Sequence, residues 1–409
     1  MKLVYLNPTG QLGGAERVLV DLLATLRVDR REWSLQLIAA SDGPLAKSAR
    51  ALEIPTSIVP YPATLSRLGD SGADESGGGR RSLLRLLARM VFASKGTASY
   101  VRKLRVTLEE LRPHILQTNG FKMHILGLWA RPRGVPVIWH VHDYVRDRPM
   151  MAKLLRMYAS RCAGIVTNSE SVRDDVRSVV GDVVEIHCIY NGVDLSRFSG
   201  IGGTVDLDAL AGLPPAKPGT VRVGLPATLA RWKGHSVFLR AISLLREDLL
   251  VRAYVIGDAI YQTDGSQYSL DELRRLACEL GISHKVGFTG FVEESAAAMR
   301  ALDIVVHAST RPEPFGLVIA EGMACARPII ASATGGAAEV VSPSIDAMVY
   351  SPGDSIALAK CIERLVLDPE LRNRLGQAGR LAAERRFDRT RMAREFLPVY
   401  LGCLGEAVV

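Results

Sequence analysis

Short apolar runs rich in β-branched residues recur along the chain, and each is followed by a longer stretch with helical spacing. In the first half they are Leu3 to Leu6, Leu35 to Ala39, His114 to Gln117, Val135 to Trp139, Gly164 to Val166 and Val184 to Ile189. The second half repeats the pattern at Val221 to Leu225, Val251 to Ile256, Lys285 to Phe288, Asp303 to Val306, Pro328 to Ala331 and Ala347 to Val349. Near-continuous apolar strands alternating with helices predict parallel sheets buried on both faces, hence an α/β chain with two doubly wound halves. Between the halves, Ser199 to Thr220 is punctuated by Gly200, Gly202, Gly203, Gly212, Pro214, Pro215, Pro218 and Gly219, which predicts a domain linker. Ligands of such sheets lie outside the carboxyl ends of the strands, so two facing domains would hold substrates in a central cleft.

Length and composition agree with this division. A single core stops growing near roughly 250 to 300 residues, and the chain has 409. Its 48% hydrophobic and 23% charged residues are those of an ordinary globular protein. The longest charge-free stretch, Ile54 to Ser66, is interrupted by Pro55, Pro60 and Pro62 and falls short of the ~18 apolar residues a membrane span needs. Met1 to Leu6 reads as a first strand and not as a secretory signal. Six scattered cysteines at positions 162, 188, 278, 325, 361 and 403 show no metal-ligand spacing and fit a reducing, cytoplasmic setting.

The net charge of +8 is unevenly placed. A Gly/Ser-rich stretch, Ser66 to Ser82, predicts a loop, and from Arg80 to Arg105 eight bases and no acid are interleaved with Leu, Met, Val and Phe. That segment has two readings. It is a surface helix that docks on anionic lipid at the inner face of a membrane, or a helix that packs its apolar side on its own domain. Because the surplus is concentrated there and aromatics total 6%, nucleic acid is not an expected partner.

Candidate chemistry gathers after the apolar runs. In Thr310 to Glu321, TRPEPFGLVIAE, a helix is expected to open near Phe315 or Gly316. The amides of Phe315, Gly316, Leu317 and Val318 would then face an anion such as a diphosphate, with Glu313 before the helix and Glu321 inside it. ARWKGH, from Ala230 to His235, offers Arg231 and Lys233 as cations. In Gly10 to Glu16, GQLGGAE, Gly13 and Gly14 let backbone approach a ligand, although the spacing is not that of a dinucleotide fingerprint. His140, His142 and Asp143 follow the strand ending at Trp139; a positioned histidine is favoured over a metal site, since no third ligand is suitably spaced. The triplet Asp206-Leu207-Asp208 lies in the linker and is taken as coincidental.

The order of these motifs resembles that of the retaining glycosyltransferases of family 4, with the GT-B fold, along nearly the whole chain. The resemblance is carried by Gly13-Gly14, His142, Arg231 with Lys233-Gly234, Glu313 seven residues before Glu321, EPFGLVIAEGMACARPIIASATGGAAEVV from Glu313, YNGVDLSRF from Tyr190 and GFTGFVEE from Gly287. It implies metal-independent transfer of a sugar, without a cofactor, from a nucleotide-diphosphate donor (UDP or GDP) to a sugar, lipid-linked or small-molecule acceptor. Anomeric configuration would be kept, in polysaccharide, lipopolysaccharide or other glycoconjugate assembly. It further implies that Arg231 and Lys233 neutralise the leaving phosphates, that Gly14 and residues 315 to 318 cradle them, and that Glu321 holds the ribose. Glu313 would hold the donor sugar, Val292 would line the base pocket, and His142 would sit near the reacting groups. Relatives often carry an Arg directly after the first strand of the second domain, where this chain reads Ala227-Thr228, so Lys233 is the firmer cation of the two. The implied domains are 1–198, completed by a terminal helix from about 387 to 409, and 221–386. The alternative is a nucleotide-sugar-binding protein of the same fold that has lost transfer.

Overall fold

A computed structural model describes residues 1–62, 80–259 and 266–405, with the side chains of 80–95 left aside. Of the loop expected at 66 to 82, residues 66–79 lie outside the described residues, as do the side chains of Arg80, Arg81, Arg85, Arg89 and Lys95 in the basic segment, while 80–82 begin the helix Arg80–Leu111 and are not loop. The chain divides into two compact units. One comprises Met1–Tyr190 with Met392–Val409, the other Asn191–Arg391.

The first unit holds seven strands: β1 (Lys2–Asn7), β2 (Ser34–Ala39), β3 (Thr56–Ile58), β4 (Ile115–Asn119), β5 (Val137–Val141), β6 (Gly164–Thr167) and β7 (Ile186–Cys188). They pair in the order β3-β2-β1-β4-β5-β6-β7, and every pairing is parallel. All residues of β4, β5 and β6 are buried, because helices cover both faces and leave no polar alternation. β3 was not expected: three half-buried residues between Pro55 and Pro60 carry little periodicity, and proline confines such a strand to a sheet edge.

The second unit repeats the plan with six parallel strands, β8 (Val221–Pro226), β9 (Val251–Ile256), β10 (Val286–Gly290), β11 (Ile304–His307), β12 (Ile329–Ser332) and β13 (Ala347–Tyr350), in the order β10-β9-β8-β11-β12-β13. In each sheet the order reverses beside the first strand, between β1 and β4 and between β8 and β11. A doubly wound sheet opens a crevice at that switch point, at the carboxyl ends of the strands.

The division falls at Tyr190 and Asn191, ahead of the expected boundary at Phe198. The turn after Tyr190 belongs with the second unit: Val193 pairs with Asp388, Arg389 bonds Asp194 at 2.7 Å, and Arg380 donates to the Phe198 carbonyl at 3.0 Å. The segment expected as a linker carries a short helix, Leu207–Leu210. Asp206 caps it, and Asp208, 4% exposed, accepts from Arg252 at 2.7 Å and Tyr254 at 2.6 Å. These bonds hold the Asp208 carboxyl down at about 2 against a desolvation that would raise it. The DxD triplet therefore fastens a surface helix to its sheet.

The terminal helix, Arg389–Gly402, buries Met392, Phe396, Val399 and Tyr400. Its Tyr400 hydroxyl donates to Gln117 on β4 at 2.5 Å and lies 3.3 Å from the Tyr5 hydroxyl on β1, so from Met392 onward it completes the first unit. Phe387, just before it, packs edge-on to Phe315 in the second unit. Within the long helix Arg80–Leu111, the described side chains Tyr100, Leu104 and Leu108 are buried while Arg102, Lys103 and Arg105 face outward. No described helix is long and apolar enough to cross a membrane.

Candidate active site

The switch point of the second unit gathers charged side chains. After β8, a turn at Arg231–Lys233 ends on Gly234 at φ +76°, where an added Cβ would lie 1.8 Å from the Ala308 carbonyl oxygen. Only glycine lets this turn sit against the loop after β11. Thr310 locks the two loops by donating its amide to the Trp232 carbonyl at 2.7 Å. Lys233 thereby reaches Glu313, with Nζ 2.8 and 2.7 Å from the two carboxylate oxygens and 4.0 Å above the Trp232 ring.

Glu313 is 7% exposed, and the structure supplies it with partners. Ser309 donates its hydroxyl to Oε2 at 2.7 Å, and His307 Nε2 lies 3.2 Å from the same oxygen. Burial would raise this carboxyl, but the Lys233 charge and the His307 bond outweigh it and hold Glu313 well below the usual range. It is therefore an anion at neutral pH. A pairing of Glu313 with Gly335 and the Glu313 amide bond to the Thr334 carbonyl at 3.2 Å fix its backbone.

Gly316 follows at φ +89° and is the N-cap of the helix Leu317–Ala324, with no side chain capping it. Leu317 and Val318 thus occupy the first turn of a helix whose start is left to backbone groups. Phe315 precedes the cap and is 2% exposed against Phe387, and Glu321 is 9% exposed inside the helix. Arg231 points elsewhere than its neighbour: it bonds Glu272 at 2.7 Å and stacks over Tyr268 at 4.4 Å. Val292 is half-buried in the turn after β10.

The first unit has its own switch-point cluster, of a different kind. Gly14 opens the helix Gly14–Asp29; the preceding Gly13 amide donates to Glu16 at 3.1 Å, and a Cβ at Gly14 would meet nothing within 4 Å. β5 ends at Val141, and His142 lies just past it with its ring 3.9 Å from that of His140. Burial pushes His142 down to about 4, His124 to about 3, and His140 well below its ordinary value. Asn7 and Asn119 end β1 and β4, and Asn119 pairs in register with His140.

Residues 12–197 match the model of "Glycosyltransferase Family 4", and residues 217–382 match that of "Glycosyl transferases group 1". The chain belongs to glycosyltransferase family 4. Among its relatives, the D-inositol 3-phosphate glycosyltransferase of Xylanimonas cellulosilytica is 33% identical over 60% of this chain and 58% of that one. The lipopolysaccharide core biosynthesis glycosyltransferase LpsE of Rhizobium meliloti is 27% identical over 50% and 56%. This family 4 chain thus spans little more than half the length of these curated relatives. Anabaena HepE in complex with UDP-glucose superposes with a TM-score of 0.79 at 24% identity, covering 98% of this chain and 100% of that one. At such identity the likeness is one of fold, the GT-B arrangement of two Rossmann-like parallel-sheet domains.

Of the residues expected to act in this family 4 protein, Lys233 and Glu313 are in contact and the helix start at Gly316 follows directly. Arg231 is turned to Glu272, while Gly14 and His142 belong to the first unit. Sequence reasoning passed over His307 and Ser309, the two partners of Glu313. Their signal was present in the run VVHAST, where a buried strand ends on a histidine and a hydroxyl residue stands two further on, but an isolated histidine there reads as core.

Proposed function

We propose that the protein is a retaining glycosyltransferase that moves a sugar from a nucleotide-diphosphate donor to an acceptor without a metal. The observation that carries this reading is the contact of Lys233 with the buried, ionised Glu313 beside an uncapped helix start. A diphosphate entering there would take over Lys233, and the first-turn amides of Leu317 and Val318 would share its charge. Glu313, still held by Ser309 and His307, would keep an ionised carboxylate available to accept from donor-sugar hydroxyls. Glu321 is assigned to the ribose, Val292 to the base, Gly14 with the helix start to the leaving phosphates, and His142 to the reacting groups. Catalysis then rests on stabilising the leaving diphosphate and aligning the acceptor.

HepE is described with UDP and with UDP-glucose, which favours UDP over GDP as the donor base. The names of the relatives favour glycoconjugate or inositol-derived acceptors. The test is a thermal-shift panel of UDP, GDP and ADP with their sugar conjugates, in the presence of EDTA and with NAD as control. A ligand at ~100 times its Kd adds about 2.7 kcal/mol, so a midpoint rise of several degrees with one diphosphate is expected. It should be lost in Lys233→Ala. No response to any diphosphate from folded protein would overturn the reading. A protein that binds donor yet releases no UDP with any acceptor would be the binding-only relative.

A further inference from the structure

A line of buried polar side chains runs from the terminal helix through the first unit's sheet. Tyr5 on β1, Gln117 on β4, His140 on β5 and Tyr400 on the terminal helix are each at most 1% exposed. The Tyr400 hydroxyl donates its one proton to Gln117 Oε1 at 2.5 Å, so it accepts from the Tyr5 hydroxyl at 3.3 Å. With Oε1 so engaged, Gln117 turns its Nε2 to His140 Nδ1 and donates to it at 3.3 Å. A ring nitrogen that accepts carries no proton, and burial keeps His140 neutral, so its proton lies on Nε2. The terminal helix thereby dictates the tautomer of a histidine two hydrogen bonds away.

Packing a helix on a sheet needs none of this. Leucine and phenylalanine would avoid the desolvation of four polar groups, which a dry interior tolerates only where the bonds are made. What the line supplies is orientation. His142 lies half-buried just past β5, and neither of its ring nitrogens has a hydrogen-bond partner, so its ring is held by packing. It packs on His140, with the ring centroids 3.9 Å apart and the planes at 48°. Phe396, one turn before Tyr400 and 5.6 Å from its ring, meets His140 edge-on at 5.1 Å. The terminal helix therefore grips His140 twice, through a hydrogen-bonded line and through an aromatic edge, and His140 in turn seats His142. If Gln117 turned over, its oxygen would face Nδ1, the proton would move there, and His140 would lose its fixed seat.

We propose that Tyr400, Gln117 and His140 are positioning residues for the transfer, a relay by which the terminal helix holds the His142 ring in its working orientation. The proposal rests on the transferase reading, in which His142 sits near the reacting groups, and the following measurements separate the two. Long-range proton–nitrogen correlation spectra of the full chain, labelled at histidine, show which ring nitrogen carries each proton, with His140→Asn assigning the His140 signals. Wild type should show His140 protonated on Nε2. In Tyr400→Phe the Gln117 amide has a bare atom whichever way it faces, so a second His140 signal, protonated on Nδ1, should appear.

Turnover is followed as UDP release from UDP-glucose with water as acceptor. Tyr400→Phe should lower kcat about tenfold and leave the KM for UDP-glucose within about twofold, because every residue of the relay belongs to the first unit. In a His142→Ala background the same substitution should cost nothing further, as no ring is left to position. A merely structural tyrosine would cost the same factor in both backgrounds. Gln117→Met breaks the line one link on and should repeat the kinetic result if Tyr400→Phe does not fold. An unmoved His140 tautomer, an unchanged kcat, equal losses in both backgrounds, or full turnover in His142→Ala overturns the relay. A wild type that shows the tautomer change with Tyr400→Phe, yet neither binds UDP nor releases it from UDP-glucose, overturns the transferase reading instead, and the relay's part in transfer falls with it.

Discussion

The two sheets share one topology, and each gathers polar side chains where its strand order reverses, yet the two clusters are opposite in kind. In the second unit the ions are matched: Lys233 with Glu313, and Glu313 with Ser309 and His307. In the first unit the groups are neutral, and several have no partner at all. On the proposed transfer, a matched cluster would admit a diphosphate by exchange, the ligand displacing one carboxylate from a lysine while the other partners keep that carboxylate in place. Such an arrangement suits a charged leaving group.

Lys233 is where the comparison should break most visibly. Lys233→Ala removes the cation from Glu313 and, on the proposed transfer, from the leaving group, so we expect kcat/KM to fall by roughly 10² to 10³. Stability should fall too, toward the low end of the ~3–5 kcal/mol seen when a buried pair loses one partner, since Ser309 and His307 remain. Adding Glu313→Gln should restore part of the stability and none of the activity. Steady-state kinetics and urea unfolding of the three variants measure both. Activity within threefold of wild type in Lys233→Ala would end the exchange picture.

The glycines of the two loops sharpen the contrast. Gly234→Ala forces a side chain into a left-handed turn and onto a carbonyl oxygen 1.8 Å away, so about 3 kcal/mol or more should be lost. Gly14→Ala opens onto space at a helix start, so its stability should stay level or rise by up to ~1 kcal/mol. Differential scanning calorimetry separates the two. Equal losses would mean that both turns are packed alike.

Much of this fold is legible before any coordinates, because a strand buried on both faces is written as an uninterrupted apolar run and needs no partner to be recognised. The short edge strand Thr56–Ile58 is not, since three residues between prolines leave no pattern. The site shows the same division. Lys233, Glu313 and Gly316 sit in loops, where a charge or a glycine stands out against its surroundings. Ser309 and His307 act through buried contacts with Glu313 a few residues on, and single residues of those types at a strand end carry no local signature. The orientation of Arg231 toward Glu272 is likewise invisible, because both residues look like ordinary surface charges until the turn after β8 meets the helix Leu270–Glu279.

Acid should distinguish the units. Desolvation lowers His124 to about 3 and His142 to about 4, and His140 lies well below its ordinary value, all in the first unit; His235, lowered to about 4, is the counterpart in the second. A histidine lowered on folding binds fewer protons folded than unfolded. Its stabilising effect is complete above its ordinary value of about 6.5 and is lost as pH falls toward the folded value, by up to ~1.4 kcal/mol per pH unit for each group. Glu313 runs on a lower window: its depressed carboxyl stabilises the fold above the ordinary glutamate range and loses that effect only below it. Between pH 7 and 5 the first unit should therefore weaken more, which hydrogen exchange by mass spectrometry can resolve unit by unit. His124→Gln should flatten the slope, and a second unit that weakens first would contradict it.

Arg231 carries the smallest expected effect and the finest discrimination. Its pair with Glu272 is partly exposed, with side-chain accessibilities of 43% and 34%, so Arg231→Ala should change stability by no more than about 1 kcal/mol. If the incoming diphosphate recruits this guanidinium, it must first release Glu272. Glu272→Gln should then lower the KM for donor by a few fold, while Arg231→Ala raises it without touching the melting point. If neither variant moves KM, the arginine serves only to pin the turn after β8 through Glu272 and Tyr268. The leaving group would then be stabilised by Lys233 and the helix start alone, and the second unit's matched cluster would have a single exchangeable ion.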